Sequence, residues 1–482
     1  MPVPRQLNTF SLSILMPSEN KLATKFVTAL RDILAPEQLL SKTTDCIAYG
    51  YDNSRIQVAP DAVVFPSNHE QVLAIVQLCN QYRVPVTARG RGTGTTGASV
   101  PLRGGLVLST EQMQSVIEVN PDDRYITVQP GLTNQAVQNI VAKHGYFWPP
   151  DPSSAGYCSI GGNLAYNSAG PRAVKYGTPR ENVLGLRAVT GAGETIRTGV
   201  FTTKGVVGFD LTRLLIGSEG ALAIITEATL KLSPLAEDKR ILQAIYADIE
   251  SATRAVADIM KQPLIPCALE FIDGTAINLI RQSSEISFPD KAGAMLMIEL
   301  DGARLHLDAD VEKISAVATN KGLLSLTAAK TAAEATALWN ARKALSPALR
   351  NVAPNKINED IVVPVSNIPT LIHGLEKLSQ QYAIPIVNFG HAGNGNIHVN
   401  LLYDPGNPEQ AKNIDTCLEQ VFDLTLQLKG SLSGEHGVGI SKRAFIDREL
   451  DATSLKLMQQ IKNDFDPNNI LNPDKLFVSE YD

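Results

Sequence analysis

The sequence predicts a protein of mixed helices and strands, organised as two or three domains. Its 482 residues exceed what one hydrophobic core normally organises, and its apolar content of 44% is ample for large cores. Short apolar strands alternate with helical segments along the chain. The stretch beginning at Pro234 separates a glycine-rich first part from a second part with longer helix–strand alternation. We therefore place a domain boundary there.

The composition argues against several classes of protein. The net charge is −6 and no long basic run occurs, so nucleic acid is not an expected partner. The five cysteines are scattered without a C-x-x-C motif, which argues against a zinc ribbon, an iron–sulfur cluster or a disulfide framework and suits a reducing compartment. No apolar run approaches membrane-spanning length. We expect a cytoplasmic protein whose first sixteen residues form an extended arm rather than a transit peptide.

Local patterns predict the elements of the first part in order. Helical periodicity predicts an N-terminal helix over Asn20–Leu40. Ala62–Phe65 and Val84–Ala88 are predicted strands, and a capping-box signature at Ser67–Glu70 opens a helix between them, so a βαβ unit is expected. Further predicted elements are the strands Leu106–Ser109, Tyr125–Gln129, Leu184–Thr190 and Leu222–Leu232 and the helix Asn134–His144.

A glycine-rich loop, Arg89–Ser99, follows the second strand of that unit and contains a literal G-x-G-x-x-G. In a Rossmann fold this motif must run into a helix, but here the continuation is typical of loop and strand. The loop instead offers a row of backbone N–H groups without Cβ atoms, flanked by Arg89 and Arg91. Such a nest binds a pyrophosphate, and a long structural turn is the alternative.

Two further clusters of glycine and serine strengthen the first interpretation. The second cluster comprises Pro149–Ser154, Ser159–Asn163 and Asn167–Gly170, and the third is Gly217–Ile225. Three polar glycine-rich loops between short strands indicate a large, extended ligand that carries a diphosphate.

Three of the seven histidines fall in two glycine-rich segments, Phe389–Asn400 and Gly434–Gly437. The first segment is predicted to be a β-hairpin, with strands Ile384–Phe389 and Ile397–Leu402. In such a hairpin His391 and His398 can face each other across the ladder, near the distance needed to chelate a metal. Asn400 follows His398 by two residues and therefore shares its face of the strand.

These histidines predict a catalytic metal site in which His391, His398 and Glu435 are the protein ligands. Three protein ligands leave one position open for substrate, which is the pattern of catalytic rather than structural sites. Zinc is the first expectation for two imidazoles and one carboxylate, and manganese suits the same ligands. The alternative is that the histidines are ordinary hydrogen-bonded residues of the fold.

Together these motifs resemble those of FAD-linked oxidoreductases of the vanillyl-alcohol oxidase/PCMH superfamily. Within it, the chain is most similar to the group of D-lactate dehydrogenase, the glycolate oxidase large subunit and D-2-hydroxyglutarate dehydrogenase. The resemblance extends from about Arg55 to Val478. The matching motifs are Arg89–Ser99, Pro150–Ser154, Ile160–Asn163, Gly217–Gly220, Gly390–His398, Gly434–Gly437 and Asn472–Lys475.

The resemblance implies an α+β fold. It comprises a PCMH-type FAD-binding domain of two α+β subdomains and an α+β substrate-binding cap domain. The implied domains are an N-terminal helical arm at 1–55, the FAD-binding domain at 56–235, the cap domain at 236–430, and a C-terminal segment at 431–482 that returns to the FAD domain.

The resemblance also assigns residues to a noncovalent FAD. The first loop would hold the pyrophosphate, the second cluster would line the flavin, and Glu219 and Ile225 would lie near the ribose and adenine. Some superfamily members attach FAD covalently through a histidine in the first loop, and this loop has none. The implied FAD contacts are Arg89, Gly90, Gly92, Thr93, Gly94, Gly97, Ala98, Ser99, Pro150, Asp151, Ser153, Gly161, Gly162, Asn163, Asn167, Glu219, Ile225 and Asn472.

For catalysis, the resemblance implies that His436 is the general base. Arg342 matches the arginine that binds the substrate carboxylate. Ser346 follows Arg342 by one helical turn, and Lys356 matches a basic residue of the family's site. With Asn400, these residues form the expected catalytic set.

The implied activity is an FAD- and divalent-metal-dependent dehydrogenation of a D-2-hydroxyacid to its 2-oxoacid, with hydride passing to flavin N5. D-lactate is the first expected substrate, followed by glycolate and D-2-hydroxyglutarate. The expected acceptor is a quinone, a cytochrome or an electron-transferring flavoprotein, not NAD. A homodimer and peripheral association with an inner membrane are compatible with this activity.

Two alternatives come from other classes of protein. A nonhaem iron oxygenase could use the same two histidines and carboxylate, but it would leave the three glycine loops without a function. A noncatalytic accessory subunit of a membrane oxidase should lack the histidine cluster.

Overall fold

The computed structural model describes residues 22–281 and 288–477, which divide into two compact units. Unit 1 contains the chain up to Ala169, Gly177–Leu235 and the segment from Glu435 onward. Unit 2 contains Gly170–Tyr176 and Ala236–Gly434. The arm expected at residues 1–16 lies outside the described residues.

Helices occur in both units, and none of those described has the length and apolarity needed to cross a bilayer. The described α-helices are α1 (Thr24–Ile33), α2 (Thr43–Cys46), α3 (His69–Tyr82), α4 (Asn134–Val141), α5 (Ile160–Tyr166), α6 (Ala173–Tyr176), α7 (Leu211–Leu215), α8 (Ile249–Met260), α9 (Gly274–Ile280), α10 (Arg304–Ala318), α11 (Ala332–Ala348), α12 (Ile368–Tyr382), α13 (Pro408–Gln427), α14 (Ile446–Glu449) and α15 (Ala452–Phe465).

The strands form two large sheets and two smaller ones. The described strands are β1 (Leu39–Leu40), β2 (Ala62–Val64), β3 (Val86–Arg89), β4 (Leu106–Ser109), β5 (Val116–Asn120), β6 (Tyr125–Val128), β7 (Tyr146–Phe147), β8 (Val183–Thr190), β9 (Thr195–Gly199), β10 (Ala223–Lys231), β11 (Ser233–Pro234), β12 (Asp238–Tyr246), β13 (Ala268–Asp273), β14 (Ala294–Gly302), β15 (Leu323–Ala328), β16 (Asn355–Val362), β17 (Ile386–His391) and β18 (Asn396–Tyr403).

Unit 1 begins with a four-stranded sheet in the order β1-β2-β4-β3. Strands β2 and β3 both pair in parallel with β4, and α3 connects them, so the predicted βαβ unit is confirmed. The capping detail was wrong: Asn68, not Ser67, caps α3, because its side chain accepts the Gln71 backbone N–H. Helix α1 is shorter than predicted because Ala35, which precedes Pro36, is extended, as residues before proline usually are.

A second sheet of unit 1 has the order β5-β6-β10-β8-β9 and is antiparallel throughout. One of its faces is covered by an apolar core that includes the fully buried Trp148. The indole N–H of Trp148 donates to the Asn182 carbonyl at 2.9 Å, which satisfies its only polar group. Strands β5 and β9 are the two edges of this sheet.

Unit 2 is built on a seven-stranded antiparallel sheet with the order β15-β12-β14-β13-β17-β18-β16. Helices α9 and α11 pack on an apolar core that contains Ile272, Leu345 and Phe389. The predicted hairpin is confirmed as β17 and β18, joined by a short 3₁₀ turn. Antiparallel sheets with helices on them, together with one small mixed sheet, confirm the predicted α+β class.

Candidate active site

The first glycine loop has the backbone of an anion-binding nest. In the part of the chain that the structure describes, none of the backbone N–H groups of residues 90–97 donates a hydrogen bond. Gly92 and Gly97 adopt φ of +64° and +83°, which other residues rarely adopt. Successive amides without a protein acceptor fit the diphosphate of FAD, which would supply the acceptors.

The two arginines expected to flank the diphosphate are engaged with protein groups. Arg89 is buried, and its guanidinium donates to the Tyr51 carbonyl at 2.7 Å and lies 5.8 Å from the centre of the Tyr49 ring. Arg91 lies 3.6 Å from the Glu111 carboxylate. The structure therefore places Arg89 beneath the loop as a support, and the amides are the groups available for an anion.

The second motif lies against the first. A Cβ built on Gly90 would lie 2.3 Å from Ser159 Oγ and 3.8 Å from Gly162 N, so the loop and the start of α5 touch. A Cβ on Gly94 would lie 2.4 Å from the Tyr166 hydroxyl at the other end of the same helix. A side chain at either loop position would therefore force Ser159 or Tyr166 to move.

Other residues of the second cluster hold the local structure. Asn163 is buried and donates to Ser168, and its amide oxygen accepts from Asn134, which also donates to the Pro150 carbonyl at 2.9 Å. The Asp151 N–H donates to the Ala169 carbonyl at 2.8 Å, and Ser153 lies in an exposed turn. The Asn167 side chain accepts hydrogen bonds from Thr178 and Arg180.

The third motif joins the glycine loops to the C-terminal segment. Asn472 donates to the carbonyls of Ala98 and Glu219, and Lys475 donates to Ala98 O at 2.6 Å. Ile225, expected near the adenine, lies on β10 and is buried in the apolar core, and its contact with the adenine stays a prediction. The sequence pattern missed Lys475, although a lysine three residues after the Asn472 motif was a visible signal.

Glu219 connects this region to the predicted base. Its buried carboxylate accepts the backbone N–H groups of Val438 and Gly439 at 2.6 and 2.8 Å. Burial raises the pKa of Glu219, while these two N–H groups act in the opposite direction. The Thr96 hydroxyl donates to the His436 carbonyl at 3.1 Å. The backbone around His436 is therefore fixed by a glycine-loop residue and by Glu219.

Unit 2 carries a separate polar cluster on β13, β17 and α11. The fully buried Glu270 accepts from Arg342 Nε at 2.7 Å and lies 2.6 Å from His391 Nδ1. Burial alone would raise the pKa of Glu270, but His391 and Arg342 outweigh it and hold this pKa below its usual value. Arg342 also lies 4.9 Å from the centre of the Phe389 ring. One carboxylate thus orients both a predicted metal ligand and the predicted carboxylate-binding arginine.

The two hairpin histidines are close but not directly opposite. His398 pairs with Phe389, and His391 pairs with Asn396, so the two histidines are offset by two residues along one face. Their ring centres lie 5.2 Å apart. The predicted proximity is confirmed, while the predicted cross-strand pairing was wrong by this offset.

Asp360 completes the unit 2 cluster, and it was missed from the sequence. Its carboxylate lies 3.8 Å from His398 Nδ1 and accepts from Asn396 at 2.6 Å. The Gly434 N–H donates to it at 2.9 Å, and Glu435 is the next residue of the chain. Asp360 is fully buried, and a buried carboxylate requires hydrogen-bond partners, but the sequence of β16 is largely polar and gave no signal of that burial.

The remaining predicted catalytic residues lie on neighbouring elements of unit 2. Lys356 on β16 donates to the Ser346 hydroxyl of α11 at 2.9 Å. Asn400 is fully buried: it donates to the Val387 carbonyl at 3.1 Å and accepts from Asn358 at 2.7 Å. The structure thus brings Ser346 and Lys356 together and places Asn400 in the hydrogen bonding of the sheet.

Comparison with known families covers most of the chain. Residues 60–199 match the FAD binding domain, and residues 235–476 match the C-terminal domain of FAD linked oxidases. The chain belongs to the FAD-linked oxidases. FAD is therefore its cofactor, and the superfamily expected from the motifs is confirmed.

Curated relatives match over almost their full length. Glycolate oxidase subunit GlcD of Bacillus subtilis (strain 168) is 38% identical over 452 residues, which cover 94% of this chain and 96% of that protein. D-lactate dehydrogenase of Archaeoglobus fulgidus is 35% identical over 435 residues, which cover 89% of this chain and 95% of that protein.

Solved structures share the fold of this FAD-linked oxidase. p-Cresol methylhydroxylase with substrate bound aligns with a TM-score of 0.78 at 18% identity and covers 97% of this chain and 98% of that one. Alkyldihydroxyacetonephosphate synthase aligns with a TM-score of 0.74 at 22% identity and covers 96% and 87% of the two chains.

Proposed function

We propose that this FAD-linked oxidase oxidises a D-2-hydroxyacid to its 2-oxoacid and requires a divalent metal. The observation that carries the proposal is the buried Glu270, which holds Arg342 and His391 together. A 2-hydroxyacid presents a carboxylate and a neighbouring hydroxyl. An arginine suits the carboxylate, and a metal held by the histidine suits the hydroxyl. The names of relatives, glycolate oxidase subunit and D-lactate dehydrogenase, support the same chemistry.

Arg342 is suited to bind the substrate carboxylate. It uses Nε for Glu270, and within the described residues its two terminal nitrogens donate no hydrogen bond. A guanidinium oriented through Nε presents its outer edge as a rigid pair of donors, which matches a carboxylate. Ser346 and Lys356 lie along the same helix and the neighbouring strand, and we assign them to the polar part of the substrate.

The side chains of the histidine hairpin suit a divalent metal. His391 and His398 supply two imidazoles, and we keep Glu435 as the third ligand. With Nδ1 held by Glu270, His391 would bind the metal through Nε2, and Glu270 would orient the ring. The Asp360 carboxylate lies 3.8 Å from His398 Nδ1 and accepts the N–H of Gly434, the residue before Glu435. Zinc and manganese both accept two imidazoles and a carboxylate.

His436 is the proposed general base. One of its imidazole nitrogens accepts the hydroxyl proton of the substrate. The Thr96 hydroxyl donates to the His436 carbonyl, and the Glu219 carboxylate accepts the N–H groups of Val438 and Gly439, so the backbone around His436 is held in place. When bound, FAD supplies the acceptor for the substrate hydride, and the metal supplies positive charge that favours loss of the hydroxyl proton. A quinone, a cytochrome or an electron-transferring flavoprotein is the proposed final acceptor.

D-lactate is the first proposed substrate, and glycolate is the second candidate because GlcD relatives match nearly the whole chain. A dye-linked assay with D- and L-lactate, glycolate and both enantiomers of 2-hydroxyglutarate tests the proposal. We expect turnover with a D-enantiomer or with glycolate and much less with the L-enantiomers. Turnover of L-acids alone, or of no 2-hydroxyacid, contradicts it.

A further inference from the structure

An apolar loop of unit 1 has no part in the site described above. It runs from Val200 to Asp210, between β9 and α7, and every residue in it is exposed. Val206, Val207 and Phe209 expose 95%, 103% and 96% of their surface, and Phe201 exposes 60%. Single exposed apolar residues are common, but several within ten residues mark a surface that binds something.

The base of the apolar loop is fixed to unit 1. The Val200 N–H donates to the Leu184 carbonyl at 3.1 Å, and Phe201 packs on the Tyr125 ring with centres 5.3 Å apart. At the other end, the Asp210 side chain caps α7 by accepting the Arg213 N–H at 3.0 Å. The valines and Phe209 are thus carried on a projection with anchored ends.

The charge of the apolar loop is one-sided. No acidic residue occurs between Glu194 and Asp210, whereas Lys204 lies in the middle of the loop and Arg197 precedes it on β9. Asp210 is committed to α7 and to the Arg213 guanidinium at 3.1 Å. The part of the loop at residues 200–209, with a central lysine and no acid, complements a surface that is apolar inside and negatively charged outside.

We propose that the apolar loop inserts into the headgroup region of an anionic lipid bilayer. A stable protein interface buries about 800 Å² per partner and uses about 20–30 residues on each side. The apolar surface here is confined to eleven consecutive residues, Val200–Asp210. A short tip of this kind is sufficient for interfacial lipid binding, in which the valines and Phe209 enter the apolar layer and Lys204 contacts the headgroups. The inference does not depend on the proposed substrate or metal.

The test uses the full-length flavoprotein and sedimentation with vesicles of phosphatidylcholine, either alone or mixed with phosphatidylglycerol. We expect binding to the mixed vesicles that weakens with added salt. The double variant Val206→Asp/Val207→Asp should reduce the partition coefficient by about tenfold or more, since the charges must enter the apolar layer. Lys204→Glu, which keeps the apolar side chains, should weaken binding to the mixed vesicles more than to phosphatidylcholine alone.

Leu305→Asp is the matched control, because Leu305 is 86% exposed on α10 in unit 2 and should not affect vesicle binding. Flavin content and dye-linked activity should be unchanged in all variants, which shows that they fold. The proposal is overturned if the wild-type chain ignores the mixed vesicles, or if the double variant binds them normally. It is also overturned if the double variant changes the oligomeric state instead, which would assign the apolar loop to a contact between copies of the chain.

Discussion

Replacing Glu270 with glutamine tests whether this carboxylate organises the active site. The two oxygens of Glu270 serve two partners, Arg342 Nε at 2.7 Å and His391 Nδ1 at 2.6 Å. A glutamine amide has only one acceptor oxygen, so its NH₂ group would face one of these nitrogens. The change keeps the shape of the side chain and removes the negative charge between Arg342 and His391.

The expected magnitude follows from burial. Glu270 is 1% exposed, and its pKa is held below the usual range, so it is ionised at neutral pH. Breaking a buried ion pair by removing one partner costs about 3–5 kcal/mol. Loss of the carboxylate that orients a metal-bound histidine lowers metal affinity by about 10–100-fold. We therefore expect Glu270→Gln to lower both the free energy of unfolding and the affinity for metal. It should also raise KM, because Arg342 would no longer be held in position for the substrate carboxylate.

Glu299→Gln is the matched control. Glu299 is 2% exposed on the neighbouring strand β14 and accepts from Trp339 of the same helix α11 at 2.8 Å and from Arg172 at 3.0 Å. Glu299→Gln should lower the free energy of unfolding by an amount comparable to Glu270→Gln, without changing metal affinity. Metal titration and denaturation of both variants distinguish the two effects. Equal losses of metal affinity in both variants, or normal metal affinity in Glu270→Gln, would refute the assigned role.

Three further predictions concern the cofactor, the base and pH. Acid precipitation should release all flavin into the supernatant, since no histidine is present in Arg89–Ser99 for covalent attachment; a yellow washed pellet would show otherwise. His436→Ala should lower kcat by about 10²–10⁴-fold with normal metal and FAD content, and loss of metal from this variant would make His436 a ligand instead. Burial raises the pKa of Asp273 from 3.8 to about 6, so the folded state keeps a proton that the unfolded chain loses, and stability should fall as pH rises between these values. Asp273→Asn should remove this slope from the denaturation midpoints.

Much of the anion-binding nest could be predicted because the residues that form it are close together in the sequence. Glycines at close spacing leave backbone amides accessible whatever the rest of the chain does, and the loop at residues 90–97 has this property. The surroundings of Ile225 were harder to predict: β10 carries it into the apolar core, so its closeness to Glu219 in sequence does not by itself bring the two side chains to one surface. Adjacency to a motif does not determine which face of a strand a residue occupies.

The partners of the histidines could not be predicted because they come from other strands. Glu270 lies on β13 and Asp360 on β16, and the sheet order β13-β17-β18-β16 places them on either side of the histidine hairpin. This order is not visible in the sequence, since β13 and β17 are separated by more than a hundred residues. The hairpin itself was predictable because its two strands are joined by a short glycine turn.

Anaerobic reduction of the bound flavin tests whether a 2-hydroxyacid reduces this flavoprotein and whether that reduction requires a divalent metal. The enzyme is mixed with D-lactate, L-lactate, glycolate or D-2-hydroxyglutarate, and bleaching of the flavin absorbance is followed before chelation, after chelation and after a divalent metal is restored. We expect rapid bleaching by a D-2-hydroxyacid or glycolate, loss of bleaching in the chelated but still yellow protein, and recovery with zinc or manganese. Undiminished bleaching in a protein that elemental analysis shows to be metal-free would contradict it.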